Sequence, residues 1–231
     1  MKAICIIPAK QISKRLPDKN IKKILGMPLI AHVIQNAIKS KCFKEVFVST
    51  DSGKIKDISE KFGAKVPFLR SKKLSGNYTP VSEVIIDAIK RLKNNYNFET
   101  VCFMYPTSIF ADKNLIKKAI KLYQNNKLNF IFTGKKFAHP VARGFILKKQ
   151  NPILLNKRNF TKRTQDFPES YYDAAQLYVG HSKDFLRKKN PFNSKSRIIL
   201  MNYLDSIDID NLEDFKNAEI ILKLKKRNEK K

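Results

Sequence analysis

The chain reads as an α/β fold with a mainly parallel sheet covered by helices on both faces, and three observations predict it. Short runs rich in Ile, Val and Phe alternate with segments whose apolar residues recur at helical spacing. The strand-like runs are nearly continuous in apolar character, as in sheets buried on both faces. At 231 residues with 42% hydrophobic side chains, the chain can fill one sizeable core. A single domain over 1–231 is expected, with an irregular excursion at 135–192.

Each element follows in order. "AICII" (Ala3 to Ile7) reads as a buried strand. "PLIAHVIQNAIKS" repeats Leu29, Ile30, Val33, Ile34, Ala37 and Ile38 on one helical side behind Pro28. Next come a strand "EVFVST", a helix "KIKDISEKF" with Ile55, Ile58 and Phe62 aligned, and a helix "VSEVIIDAIKRL". A strand "TVCFMY", a helix "NLIKKAIKLY" and a strand "NFIFTG" complete the regular part. The pattern then loosens into strand candidates "GFILKK" and "AAQLYVG" around "NKRNFTKRTQDFPESYYD". It resumes with a strand "RIILMNY", then "SIDID" and a last helix from about Leu212, whose apolar side holds Leu212, Phe215, Ala218, Ile221 and Leu222.

Charge narrows the partners. The chain carries 47 Lys+Arg against 20 Asp+Glu, a formal charge of +27, which attracts polyanions. The lysines are scattered over helix faces and loops, dense only in "KLKKRNEKK" (Lys223 to Lys231), which reads as a frayed, solvated terminus. No zinc-finger spacing or aromatic RNA-binding signature accompanies them, so a nucleic-acid binder is the weaker alternative. Cys5, Cys42 and Cys102 are widely spaced in apolar contexts and read as small core residues of a reduced compartment. The apolar start is too short before Pro8 for a secretory signal, and no run reaches membrane-spanning length. A cytoplasmic protein without membrane partners is expected. His32, His139 and His181 have no ligand spacing and read as structural.

Chemistry is expected in three places. "IIPAKQISKRLPDKN" follows the first strand, so it lies at the carboxyl edge of the sheet, where α/β folds bind ligands. Its backbone amides with Lys10, Lys14, Arg15 and Lys19 suit a triphosphate, although neither the Walker nor the G-x-G-x-x-G pattern is present; a lysine-rich surface loop is the plain alternative. In "SIDID", Asp208 and Asp210 project to one side if the stretch is extended, with Ile207 and Ile209 facing the core. Two converging carboxylates repel unless a cation lies between them, and oxygen-only ligation suits Mg²⁺ completed by phosphate. The alternative is helix capping by Asp210 or Asn211, and the two readings are compatible. Third, "KRTQD" and "YYDAAQLYVG" bring together hydroxyl, carboxylate, amide and guanidinium groups suited to a polyhydroxylated, N-acylated acid.

The segments "IIPAKQISKRLPDKNIKKILGMPLIAHVI", "VFVSTDS", "PFLRSKKLS", "YPTSIF" and "DSIDIDNLEDFKNAE", in that order along nearly the whole chain, resemble the CMP-sialic acid synthetase (acylneuraminate cytidylyltransferase) family. Within it, "VPFLR" and "KRTQDFPESYYDAAQLYVG" are most similar to the pseudaminic acid cytidylyltransferases. The resemblance implies a Rossmann-like, three-layer nucleotide-diphospho-sugar transferase fold, with the irregular middle as a dimerisation segment of a homodimer. It implies transfer of CMP from CTP to the anomeric 2-hydroxyl of pseudaminic acid, an anionic nine-carbon keto sugar; sialic or legionaminic acid is the nearest alternative.

By the same resemblance, Ala9, Lys10, Ser13, Lys14, Lys19, Asn20, Arg70 and Ser82 would hold the nucleotide. Asp208 and Asp210 would bind Mg²⁺, and Lys10, Lys14, Lys19 and Asp208 would serve catalysis. Tyr105, Arg163, Gln165, Asp173 and Gln176 would line the sugar pocket. This chain departs from the family at Lys10, where arginine is common, and at Gln11-Ile12, where many members have glycines. Because a β-branched residue avoids positive φ, Ile12 is expected at negative φ with its side chain turned from the phosphates.

Overall fold

The computed structural model of the chain describes residues 2–228. Along the chain run β1 (Ala3–Ala9), the two-residue strands β2 (Lys23–Ile24) and β3 (Met27–Pro28), α1 (Leu29–Lys39), β4 (Glu45–Thr50), α2 (Gly53–Lys61) and α3 (Val81–Lys93). They are followed by β5 (Thr100–Met104), α4 (Lys113–Gln124), β6 (Phe130–Lys136), β7 (Phe145–Lys148) and β8 (Asn151–Leu154). The last elements are β9 (Tyr171–His181), α5 (Ser182–Leu186), β10 (Ser196–Leu200) and α6 (Leu212–Asn228).

The central sheet has six strands in the order β10-β6-β9-β5-β1-β4. The pairs β1–β4, β1–β5 and β10–β6 are parallel, whereas β9 runs antiparallel between β5 and β6. Alternation along β1 divides the core. Cys5, Ile7 and Ala9 pack with α1, α2, α4 and α6; Ile4 and Ile6 pack with α3 and the residues after β9. The result is three layers, as expected for strands that are apolar on both faces.

Local chemistry explains the boundaries. Asp112 accepts a hydrogen bond from the Leu115 amide at 2.8 Å to start α4, and Ser52 caps α2. The β2–β3 hairpin turns through Leu25 and Gly26, at φ of 48° and 82°; this pairing of positive φ values is what a tight hairpin requires, and glycine supplies one of them without strain. Cys5 and Cys102 are buried cross-strand neighbours and Cys42 is half-buried, all three as free thiols. His32 is buried in α1 with its Nε2 3.0 Å from the Ile24 carbonyl, a structural role.

Several expectations change. "SIDID" joins no ladder: it is irregular coil after a 3-10 turn at Tyr203–Asp205. The run "GFILKK" belongs to the separate β7–β8 hairpin, outside the main sheet. Leu212 is 49% exposed, so the buried side of α6 is Phe215, Ala218 and Ile221. The basic tail is helical through Asn228, because α6 continues into it; the expected fraying of 229–231 falls outside the described residues. No helix among the described residues is long and apolar enough to cross a membrane.

Candidate active site

The loop after β1 forms one wall of a cleft of about 560 Å³ at the carboxyl end of the sheet. Lys10, Ser13, Lys14, Arg15, Lys19 and Asn20 line it, with Arg70 and Tyr105 on the side of β4 and β5 and Asp208 and Asp210 opposite. Residues 190 positions apart in sequence meet here: Lys19 Nζ donates to the Ile209 carbonyl at 2.8 Å and to the Asp210 carboxylate at 3.1 Å. Arg15 reaches the other Asp210 oxygen at 2.8 Å.

The loop keeps its shape without glycine because side chains hold its backbone. Asn20 Nδ2 donates to the Lys10 carbonyl at 2.8 Å, and Asp51 accepts from the Gln11 amide at 2.9 Å. Ile12 does not adopt positive φ, as its branched side chain requires, and the side chain is 66% exposed. Asn20 is buried, and its Oδ1 has no hydrogen-bond partner, leaving an acceptor in the wall of the cleft. Arg70 is 5% exposed and clamps the base of the site, donating to the Ser75 hydroxyl and the Ser49 carbonyl, with Asp51 at 3.6 Å. Burial lowers its pKa, opposed by Asp51, yet a guanidinium starts far enough above neutrality to stay charged.

The two aspartates differ. Asn211 and Asp214 cap α6 reciprocally: Asn211 Oδ1 accepts from the Asp214 amide at 2.9 Å, while Asp214 Oδ2 accepts from the amides of Asp210 and Asn211. Capping therefore leaves the Asp208 and Asp210 carboxylates to the cleft. Asp208 is exposed as a residue and lines the cleft. Loss of hydration, then Asp210 and Asp214, push its carboxyl above the usual range, with Lys19 and Arg15 pulling the other way.

A second, more apolar cleft of about 310 Å³ adjoins the first and shares Val81 and Tyr105 with it. Ser82, Asp173, Tyr178 and Phe192 also line it. The Tyr178 hydroxyl donates to Asp173, which also accepts from the Ala175 amide at 2.8 Å. Tyr105 stands between the clefts, and burial, then Asp173 and Asp208, push its phenol up to about 12; at neutral pH it is a hydrogen-bond donor.

Set against the sequence reading, the main cleft gathers Lys10, Ser13, Lys14, Lys19, Asn20, Arg70, Tyr105, Asp208 and Asp210, with Ala9 buried behind it at the end of β1. Other residues move. Ser82, the second residue of α3, lies in the second cleft. Arg163 and Gln165 line neither cleft; Arg163 is exposed and forks onto Asp166 at 2.8 and 2.9 Å within its own 3-10 turn. Gln176 is 1% exposed inside β9, its Nε2 turned onto the Ala174 carbonyl. The cleft residues Asn77, Thr79, Thr107 and Ala175 escaped the sequence reading. The Gly-Asn and Thr-Pro signals around "SGNYTP" mark a turn but not which way it folds.

A cationic cleft at the carboxyl end of a mainly parallel sheet defines a class, the nucleotide-handling α/β proteins. The chain belongs to the cytidylyltransferase family, whose model matches residues 4–229. It is 36% identical over 226 residues to a pseudaminic acid cytidylyltransferase of Campylobacter jejuni, covering 97% of each chain. It is 30% identical over 97% of each chain to the CMP-N,N'-diacetyllegionaminic acid synthase of Legionella pneumophila. In fold it is similar to a CMP:2-keto-3-deoxy-manno-octonic acid synthetase solved in complex with CTP, at a TM-score of 0.72 over 97% of this chain and 12% identity.

Proposed function

We propose that the chain transfers CMP from CTP to the anomeric 2-hydroxyl of pseudaminic acid, releasing diphosphate. The observation that carries this reading is the convergence of Lys10, Lys14, Arg15 and Lys19 with Asp208 and Asp210 in one cleft. The similarity to pseudaminic acid cytidylyltransferase supports the choice of sugar.

The lysines and backbone amides of the opening loop hold the triphosphate, Ser13 and Asn20 complete the cradle, and the pyrimidine lies toward Arg70. Asp208 and Asp210 fit a divalent ion, Mg²⁺ by their oxygen chemistry. No cluster of three metal-ligating side chains occurs among the described residues, so phosphate oxygens and water would have to complete its shell. Such an ion, when bound, neutralises charge on the phosphates during transfer. The sugar lies in the second cleft, beside Tyr105 and Asp173, which can address its hydroxyl and amide groups. Its 2-oxygen forms a bond to the α-phosphorus while the bond to the β-phosphate oxygen breaks, and the hydroxyl proton leaves to solvent. Positioning and charge neutralisation supply most of the rate in such a transfer.

In this reading Arg15 and Lys19 exchange Asp210 for phosphate when the nucleotide enters. The exposed apolar side chains of the excursion, among them Phe145, Ile146, Leu147 and Phe160, support a homodimer joined there, and light scattering would read a mass near twice 26.8 kDa. Diphosphate release from CTP and Mg²⁺ with pseudaminic, legionaminic and sialic acids in parallel tests the function. Fastest turnover of pseudaminic acid is expected; turnover of sialic acid alone would refute the choice of sugar.

A further inference from the structure

Lys135, near the end of β6, is only 7% exposed and belongs to neither cleft described above. Placing an ammonium in a protein interior is costly unless its donors are used. Here Nζ donates to the Ser206 carbonyl at 3.0 Å and sits 4.5 Å from the ring centre of Tyr203 and 5.6 Å from that of Tyr172. These contacts fasten the 3-10 turn that delivers Asp208, two residues beyond Ser206. Lys135 also shares a depression of about 440 Å³ with Asp208 and Asp214, so Asp208 forms the partition between that depression and the main cleft.

The segment around Asp208 has no ladder to fix it, since it is irregular coil. Two lysines grip it instead: Lys19 binds the carbonyl of Ile209 on one side, and Lys135 that of Ser206 on the other. The side chain of Ile209, fully buried, anchors the stretch between them.

We propose that Lys135 is a positioning residue that holds the Asp208 carboxylate where it can bind a divalent cation. The inference rests on the metal reading of Asp208 and Asp210 and adds to it a residue that never touches substrate. Groups that orient metal ligands typically change metal affinity by about 10–100-fold when removed.

Lys135→Met keeps much of the length and the apolar contact with the rings but removes the donor. Electron paramagnetic resonance of free Mn²⁺, titrated in the presence of CTP, should show binding weakened about tenfold in this variant. CTP affinity without metal should stay at the wild-type value, and Lys135→Arg should restore most of the Mn²⁺ affinity. Unchanged Mn²⁺ affinity in Lys135→Met would overturn the proposal while leaving the metal reading intact. Should Lys135→Met fail to fold, Tyr203→Leu removes the nearer ring from an exposed position; a smaller weakening in the same direction is expected, and none would overturn the proposal. If the wild-type protein with CTP binds no Mn²⁺, the metal reading and this inference fall together.

Discussion

Asp208 is the residue at which stability and activity part company. Its carboxyl is pushed above the ordinary 3.8, first by lost hydration and then by Asp210 and Asp214. A raised carboxyl pKa means that folding disfavours the ionised form, so the protein loses stability as pH rises from the ordinary carboxylate range through the raised value, and the loss is complete at neutral pH. Without nucleotide or metal, Asp208→Asn should therefore melt at or above the wild-type temperature at pH 7, with the difference closing toward pH 4. Its turnover with CTP should fall on the order of 10²–10³-fold, the usual cost of removing a charge-stabilising group. A variant that is both less stable and nearly as active would show that Asp208 serves the core rather than the site. The pairing of Asp208 with Asp210 was legible in the sequence because alternation in "SIDID" requires no ladder. The fates of Arg163 and Gln176 were not, since a motif does not say whether a guanidinium turns to a pocket or to an acid three residues away.

At the scale of elements, β9 carries the least regular geometry. Its ladder with β6 shifts register between Phe132 and Gly134, and Ala175 adopts φ of 50° at the edge of the cleft. An alanine in the left-handed region costs roughly 1–2 kcal/mol, offset here by the Asp173 carboxylate, which accepts from the Ala175 amide, and by the Thr133 hydroxyl, which accepts from the amides of Gln176 and Leu177. Glycine at this position removes the strain but loses more backbone entropy on folding, roughly 0.5–1 kcal/mol. Ala175→Gly is therefore expected to raise the urea midpoint slightly, by less than about 1 kcal/mol of stability; a clear loss in the same titration would contradict the strained geometry. Sequence periodicity located β9 as a strand but could not reveal that it runs antiparallel, because a strand buried on both faces reads alike in either direction. The β7–β8 hairpin was read only as an isolated strand candidate, since its exposed hydrophobic residues mimic a buried run.

For the whole molecule, charge and architecture act together. A net charge of +27 surrounds a cleft that gathers five cationic side chains, Lys10, Lys14, Arg15, Lys19 and Arg70, and both proposed substrates are anions. Electrostatic capture follows, so kcat/KM for CTP should fall steeply as salt rises toward about 0.15 M, where the Debye length shortens to about 8 Å. A value insensitive to ionic strength would show that the lysines act only as solvated surface. The alternating order of the longer helices and strands was readable from the chain because it rests on local periodicity, and the opening loop was placed by the rule that α/β ligands bind at strand ends; the β2–β3 hairpin, β8 and the short α5 are too brief to show a period and were not read. What brings Lys19 to Asp210 is the folding of α6 against the same core as α1, a contact that no short-range pattern encodes.

The arrangement can be located directly by crystallography with CTP and Mn²⁺, reading the metal from its anomalous signal. The expected map has one peak between Asp208 and Asp210, bridged to a triphosphate lying along Lys10, Lys14 and Lys19. A peak or a nucleotide bound away from that cleft would contradict the proposed site.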